Sequence, residues 1–220
     1  MKRTLLALLI ACTFAAPAFA DEDVDKVNGS IHIPDATMAG KLTTVNGGIH
    51  IGANAHAKSA ETVNGGIDVG AGSTLDSLET VNGGLRLGAN VKIAKGVSAV
   101  NGGINLASGA DVAGKLSNVN GGIKLDAAHV GGGITTVNGD MTIGANSRVE
   151  GGLFIDENNS WFNWGTHKPR VVIGPHAVVQ GTLKFKREVD LYVSDSATIG
   201  AIEGATPVKF SGDTPPAAAQ

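Results

Sequence analysis

Residues 44–67 read TVNGGIHIGANAHAKSAETVNGGI, a unit that opens and closes on the same Thr-Val-Asn-Gly-Gly-Ile. Working outward from that pair, Val-Asn-Gly recurs with its Asn at 28, 46, 64, 82, 101, 120 and 138, at intervals of 18, 18, 18, 19, 19 and 18 residues. A short motif in nearly fixed register marks a solenoid, propeller or array, because one unit cannot bury its apolar side chains alone and must stack on its neighbours. A sixfold phase runs inside the unit through Val45, Ile51, Ala57, Val63, Val69, Leu75, Val81, Leu87 and Ile93, and resumes after one-residue insertions at Val100 and Val119. It continues through Leu125, Gly131, Val137, Ile143 and Val149. Three six-residue faces per unit describe a triangular coil with these positions expected to point inward.

The local pattern agrees. Val-Asn-Gly-Gly-Ile-x-Ile puts β-branched residues on one side of a short strand and a variable residue on the other. Those variable residues are His32, His50, Asp68, Arg86, Asn105, Lys124 and Thr142. Asn-Gly and Gly-Gly are expected to supply positive φ at a corner, with Asn28, Asn46, Asn64, Asn82, Asn101, Asn120 and Asn138 forming an amide ladder inside it. Small residues such as Ala55, Ser73 and Ala110 would line a corner too narrow for larger ones. Asn-Gly is also a hairpin signal, but a meander needs a turn at both ends of every strand pair, and propeller blades repeat at about 40 to 50 residues. The expected fold is all-β: a single-stranded parallel β-helix, a triangular solenoid of about 18 residues per turn, for which a right-handed coil is taken.

Composition fits a thin, repetitive architecture. Of 220 residues, 32 are Gly and nine are aromatic, with no Gly-X-Y period. Lys2 and Arg3 precede a largely apolar run over 5–16, and Ala18-Phe19-Ala20 presents small residues where a signal peptidase cuts, so residues 1–20 read as a secretory signal. A lipoprotein cleaved before Cys12 is the alternative. Cleavage before Asp21 removes two of the 17 basic residues and none of the 20 acidic ones, leaving a net charge of −5 and no cysteine. An acidic exported chain without disulfides argues against a nucleic-acid partner, and no later apolar stretch is long enough to span a bilayer. The regular coil is expected over 21–155, a polar and aromatic insertion over 156–170, irregular further turns over 171–210 and a disordered tail over 211–220.

Two resemblances rest on these residues. Ile51-Gly-Ala-Asn-Ala, Ile143-Gly-Ala-Asn-Ser and Ile173-Gly-Pro-His-Ala-Val-Val-Gln-Gly-Thr-Leu resemble the bactofilins, polymer-forming bacterial β-helix proteins. The Thr-Val-Asn-Gly-Gly-Ile units at 44–49 and 62–67 are similar to a family of bacterial adhesin-like proteins with Val-Asn-Gly solenoid repeats. The resemblances imply self-association, or attachment at the cell surface.

Chemistry is sparse. His176 lies in a hexapeptide like those of β-helical acyltransferases, but one His without a constellation is not a catalytic site, and no enzyme activity or cofactor is expected. His32, His50 and Asp68 fall in one outward column with neighbours about 5 Å apart, close enough in principle to share a transition metal. Trp161, Phe162 and Trp164 form the aromatic cluster best suited to stack on a sugar or anchor a partner. The expected function is a non-catalytic, exported cell-envelope protein in the periplasm or at the cell surface, structural or adhesin-like and able to self-associate. The alternative is a module that recognises an envelope glycan or protein through the Trp161/Phe162/Trp164 loop.

Overall fold

The computed structural model describes residues 22–157 and 168–216. The proposed signal with Cys12, the Trp161, Phe162 and Trp164 cluster, and the last four residues lie outside the described residues.

Among the described residues there is no helix, and each strand pairs in parallel with the strand one turn away. The chain is a parallel β-solenoid of three faces. The Ile face carries the strand that follows each Asn-Gly; these seven and three later strands, from Ile31–Ile33 to Val208–Phe210, stack in one sheet of ten. The other two faces share a 16-stranded sheet. One is a short face, with Lys92–Ile93 and Asp111–Val112 among its strands, and the other is a Val face, with Val97–Asn101 and Leu116–Asn120. The two faces belong to one sheet because Met38–Asn46, His56–Asn64 and Thr74–Asn82 each run unbroken around the corner between them.

From Lys92 onward that corner holds one residue more. The inward Leu75 and Leu78 stack on Ile93 and Val97, so a three-residue step becomes a four-residue step and the strand divides. The 19-residue intervals in the sequence arise here. A compensating deletion after Leu125 restores 18, and it places Val130 rather than Gly131 in the core column between Val112 and Val149.

The faces are unequal, which corrects the sixfold reading. In the turn that starts at Ile49, the inward residues are Ile49 and Ile51 on the Ile face, Ala57 on the short face, and Ala60 and Thr62 on the Val face. Strand alternation from Ala60 turns Thr62 in and Val63 out. The valines of the motif therefore face outward: Val45, Val63, Val81, Val100 and Val119 are each 37–40 % exposed. The Ile-face residues Ile51, Val69, Leu87, Leu106, Leu125 and Ile143 are buried as expected.

Two corners bracket the Ile face. At the Asn-Gly corner, Gly47, Gly65, Gly83 and Gly139 do not adopt left-handed φ. They are glycine because the turns touch there: a Cβ on Gly65 or Gly83 would lie 2.0 Å from the carbonyl oxygen of the corner glycine one turn earlier. The expected positive φ is found at this corner only in Gly29, Gly102 and Gly121, at 100°, 159° and 129°, whereas the opposite corner holds left-handed backbone once per turn, at Ala36, Asn54, Gly72, Asn90, Gly109, Ala127, Asn146 and His176. Ala55, Ser73 and Ala110 follow that bend and are fully buried, as their size implied. Ser73 is tolerated there because its hydroxyl donates to Gly52 O at 2.7 Å and accepts from Ala55 N at 3.1 Å.

Candidate functional site

The register brings the variable residues of the Ile face into one outward column. His32 pairs with His50, His50 with Asp68, Asp68 with Arg86, and the column continues through Asn105, Lys124 and Thr142. His32 and His50 stack with ring centroids 4.8 Å apart and planes 14° from parallel. His50 Nδ1 lies 3.2 Å from Asp68 Oδ2, and Arg86 Nη1 donates to Asp68 Oδ1 at 3.2 Å. Stacking presents ring faces to each other, so the nitrogens of His32 and His50 do not converge on one point, and Asp68 is already held by Arg86. Among the described residues no three His, Cys, Asp or Glu side chains are grouped to hold a metal ion.

Beside this column runs an open groove of about 600 Å³ lined by His50, Asp68, Arg86, Asn105, Lys124 and Asp126. Gly70 and Gly88 form its shoulder, where side chains are absent and backbone is exposed to the solvent. Charges of both signs alternate along it, which suits a solvated surface more than a focused anion or cation site.

A second outward column lies on the short face. Asp111 Oδ1 and His129 Nδ1 are 2.6 Å apart, and Glu150 Oε1 is 3.5 Å from His129 Nε2 and accepts from Arg148 Nε at 3.3 Å. Nδ1 is thus held by Asp111, whereas Nε2 is buried and makes no hydrogen bond. His176 is exposed at the left-handed corner with φ of 56°, and its backbone N–H donates to Ser196 Oγ at 3.1 Å.

The asparagines form a continuous ladder. Each amide from Asn46 to Asn138 donates to the Asn one turn earlier at 2.8–3.1 Å. Arg187 Nη1 closes the far end by donating to Asn138 Oδ1 at 2.7 Å. The amides lie on the outside of the corner, with Asn46, Asn64, Asn82, Asn101 and Asn120 exposed, because the corner's inner side is taken by backbone.

A second ladder sits within. Thr44, Thr62 and Thr80 are buried and donate to the carbonyls of Gly29, Gly47 and Gly65 at 2.9–3.1 Å, and Asn118 donates to Gly102 O and Gly121 O. Sequence reasoning passed over this ladder. Its signal was Thr standing directly before Val-Asn-Gly at 44, 62 and 80; Thr136 stands in the same place, but its buried hydroxyl makes no such bond.

The residues on either side of the aromatic segment belong to different faces of the coil. The Val-face strand Leu153–Ile155 is followed in sequence by the Ile-face strand Arg170–Ile173, two faces that earlier turns join through Asn-Gly. The segment's flanks are tied down: Lys186 Nζ donates to Asp156 Oδ1 at 3.0 Å, and Lys168 Nζ lies 2.6 Å from Asp190 Oδ1. The hydrogen bond from Lys186, aided by the backbone N–H of Glu157, holds the Asp156 carboxyl below the usual carboxylate range, and the bonds to Asp156 and Asp190 raise Lys186 and Lys168.

Past the insertion the outer side of the Ile face becomes apolar, with Val172, Tyr192 and Phe210 buried together. Arg170 lies over the Tyr192 ring at 4.8 Å and donates to Pro216 O at 2.7 Å, while Ser211 Oγ donates to Asp195 Oδ2 at 2.5 Å. These contacts tie residues 211–216 to the last turns. No helix among the described residues is long and apolar enough to cross a membrane. Comparisons of the chain with protein families, with curated proteins and with solved structures give no match.

Proposed function

We propose that the chain is an exported, non-catalytic protein of the cell envelope: a structural or adhesin-like solenoid that associates end to end. The observation that carries this reading is the state of the coil's ends. Among the described residues Val24–Asn28 pairs only with Met38–Asn46, and Ile31–Ile33 only with Ile49–Ile51. At the other end Val208–Phe210 pairs only with Asp190–Ser194, and Ile202–Glu203 only with Leu183–Phe185. A parallel coil of fixed register presents at each end the edge that another coil can continue.

Export is supported by the basic, apolar and small-residue pattern of residues 1–20. A structural role is supported by the ladders, since the outer amides and inner hydroxyls all serve the stacking of one turn on the next. The test is to isolate the protein from its own cells by fractionation, weigh it intact, and view it by negative-stain microscopy. An envelope-associated species that begins at Asp21 and forms filaments one coil wide is expected. A cytosolic monomer retaining Met1 overturns the reading.

A further inference from the structure

Two outward columns run side by side on the Val face. One is the motif's valines, Val45, Val63, Val81, Val100 and Val119. The other, two residues earlier on each strand, is Thr43, Glu61, Glu79, Ser98, Ser117 and Thr135, in register from turn to turn. A shallow groove of about 270 Å³ lies between Thr43, Glu61, Glu79 and Ser98 on one side and Val45, Val63, Val81 and Val100 on the other.

The valine column is uniform where its neighbours vary. The same strands accept Thr, Glu and Ser at the adjacent outward position, and the Ile face accepts His, Asp, Arg, Asn and Lys. An outward residue more than a third exposed does not have to be valine for the strand to form. Five valines stacked about 4.8 Å apart make a straight apolar stripe some 19 Å long. A partner that contacts the whole stripe must carry apolar groups at the same repeat, and a second copy of this chain does so by construction.

The polar column fixes the orientation. Its acids, Glu61 and Glu79, lie in the half nearer the N-terminus, and the half that follows is Ser98, Ser117 and Thr135. Glu79, Ser98 and Ser117 make no side-chain hydrogen bond within the described residues, and Glu61 is balanced by Lys41 Nζ at 2.9 Å. Two copies laid valine on valine with their coils parallel would put their polar columns on opposite sides of the stripe, so that Glu79 would meet no hydroxyl of the other copy's polar column. With the coils antiparallel about a two-fold axis midway between the turns of Val81 and Val100, Glu79 faces Ser98, Glu61 faces Ser117, and Thr43 faces Thr135. Each carboxylate then meets a hydroxyl that can donate to it, twice per pair.

We propose that the Val face is a lateral interface between two copies of this chain, with coils antiparallel and valine stripe on valine stripe. The surface is distinct from the coil ends and does not depend on the end-to-end reading. Cysteine cross-linking in a Cys12→Ser background tests it, because the chain then contains no other cysteine. A mixture of Glu79→Cys and Ser98→Cys proteins is expected to yield a disulfide-linked heterodimer under mild oxidation, while neither variant alone cross-links. Homodimers of Glu79→Cys would overturn the antiparallel arrangement, and absence of any cross-link would overturn the interface. Val81→Lys should leave the circular dichroism unchanged and convert the dimer to monomer by sedimentation. Ser98→Glu should weaken pairing about tenfold through two new like-charge contacts.

Discussion

At the Asn-Gly corner the first glycine recurs on seven turns, and a methyl group at Gly65 or Gly83 would strike the carbonyl of the turn before. At the left-handed corner the equivalent single position is Ala, Asn, Gly or His, each holding φ between 43° and 74°. At the first corner the contact between turns excludes any Cβ, while the left-handed position of the second, though its backbone also bonds from turn to turn, admits side chains. That is why one shows as an unvarying motif and the other as Pro-Asp-Ala, Gly-Ala-Asn, Ala-Ser-Gly or Gly-Pro-His. Repetition in a solenoid records where stacking excludes a side chain; variation records where stacking leaves room for one.

The comparison can be broken most directly at Gly83. Gly83→Ala should cost about 3 kcal/mol in chemical denaturation, because the Cβ meets a backbone oxygen that cannot move without unstacking a turn. A cost near zero would mean that the corner is looser than the contact distances imply. Thr80→Val comes next: it keeps the volume but leaves Gly65 O without its buried donor, an expected loss of about 1–3 kcal/mol. At the other corner the sign reverses. Ala127 holds φ of 43°, an angle that a Cβ disfavours, and Ala127→Gly should stabilise by about 1 kcal/mol in thermal unfolding.

Asn82→Ala interrupts an exposed ladder at two hydrogen bonds and should cost only about 1 kcal/mol, against the larger loss at its neighbour Gly83. The smallest effect belongs where the Asn-Gly corner gives out. Asp156 titrates below its ordinary range when folded, so the support from Lys186 is present above the unfolded carboxylate range and is lost as pH falls through the lowered folded value. Lys186→Ala should lower stability slightly at neutrality and shrink that acid-side slope in a stability profile measured against pH, the two proteins converging below the lowered folded value.

Much of the fold was legible because a period of 18 with an unvarying Asn-Gly leaves few architectures standing. The column of His32, His50, Asp68 and Arg86 was legible for the same reason, since register alone places outward residues of successive turns together. What could not be read was which side each valine faced. Counting in sixes treats the faces as equal, whereas the inward residues after Ile49 and Ile51 are Ala57, Ala60 and Thr62, steps that no uniform count reproduces. The Thr ladder was hidden because a hydroxyl looks like a surface residue until the carbonyl it satisfies is seen. The stacking of His32 on His50, which turns a pair of potential ligands face to face, depends on side-chain rotation that spacing does not specify.

The asparagine ladder makes the coil a ruler. Every amide from Asn46 to Asn120 presents the same acceptor to the turn ahead and the same donor to the turn behind, so the joint between any two turns is interchangeable with the next. Excising residues 64–81 would set Asn82 on Asn46 and Gly83 on Gly47, shortening the rod by one step of about 4.8 Å while every remaining joint stays as it was. Reach is thus adjustable in whole turns, and the cap that Arg187 places on Asn138 fixes where the scale ends rather than how long it is.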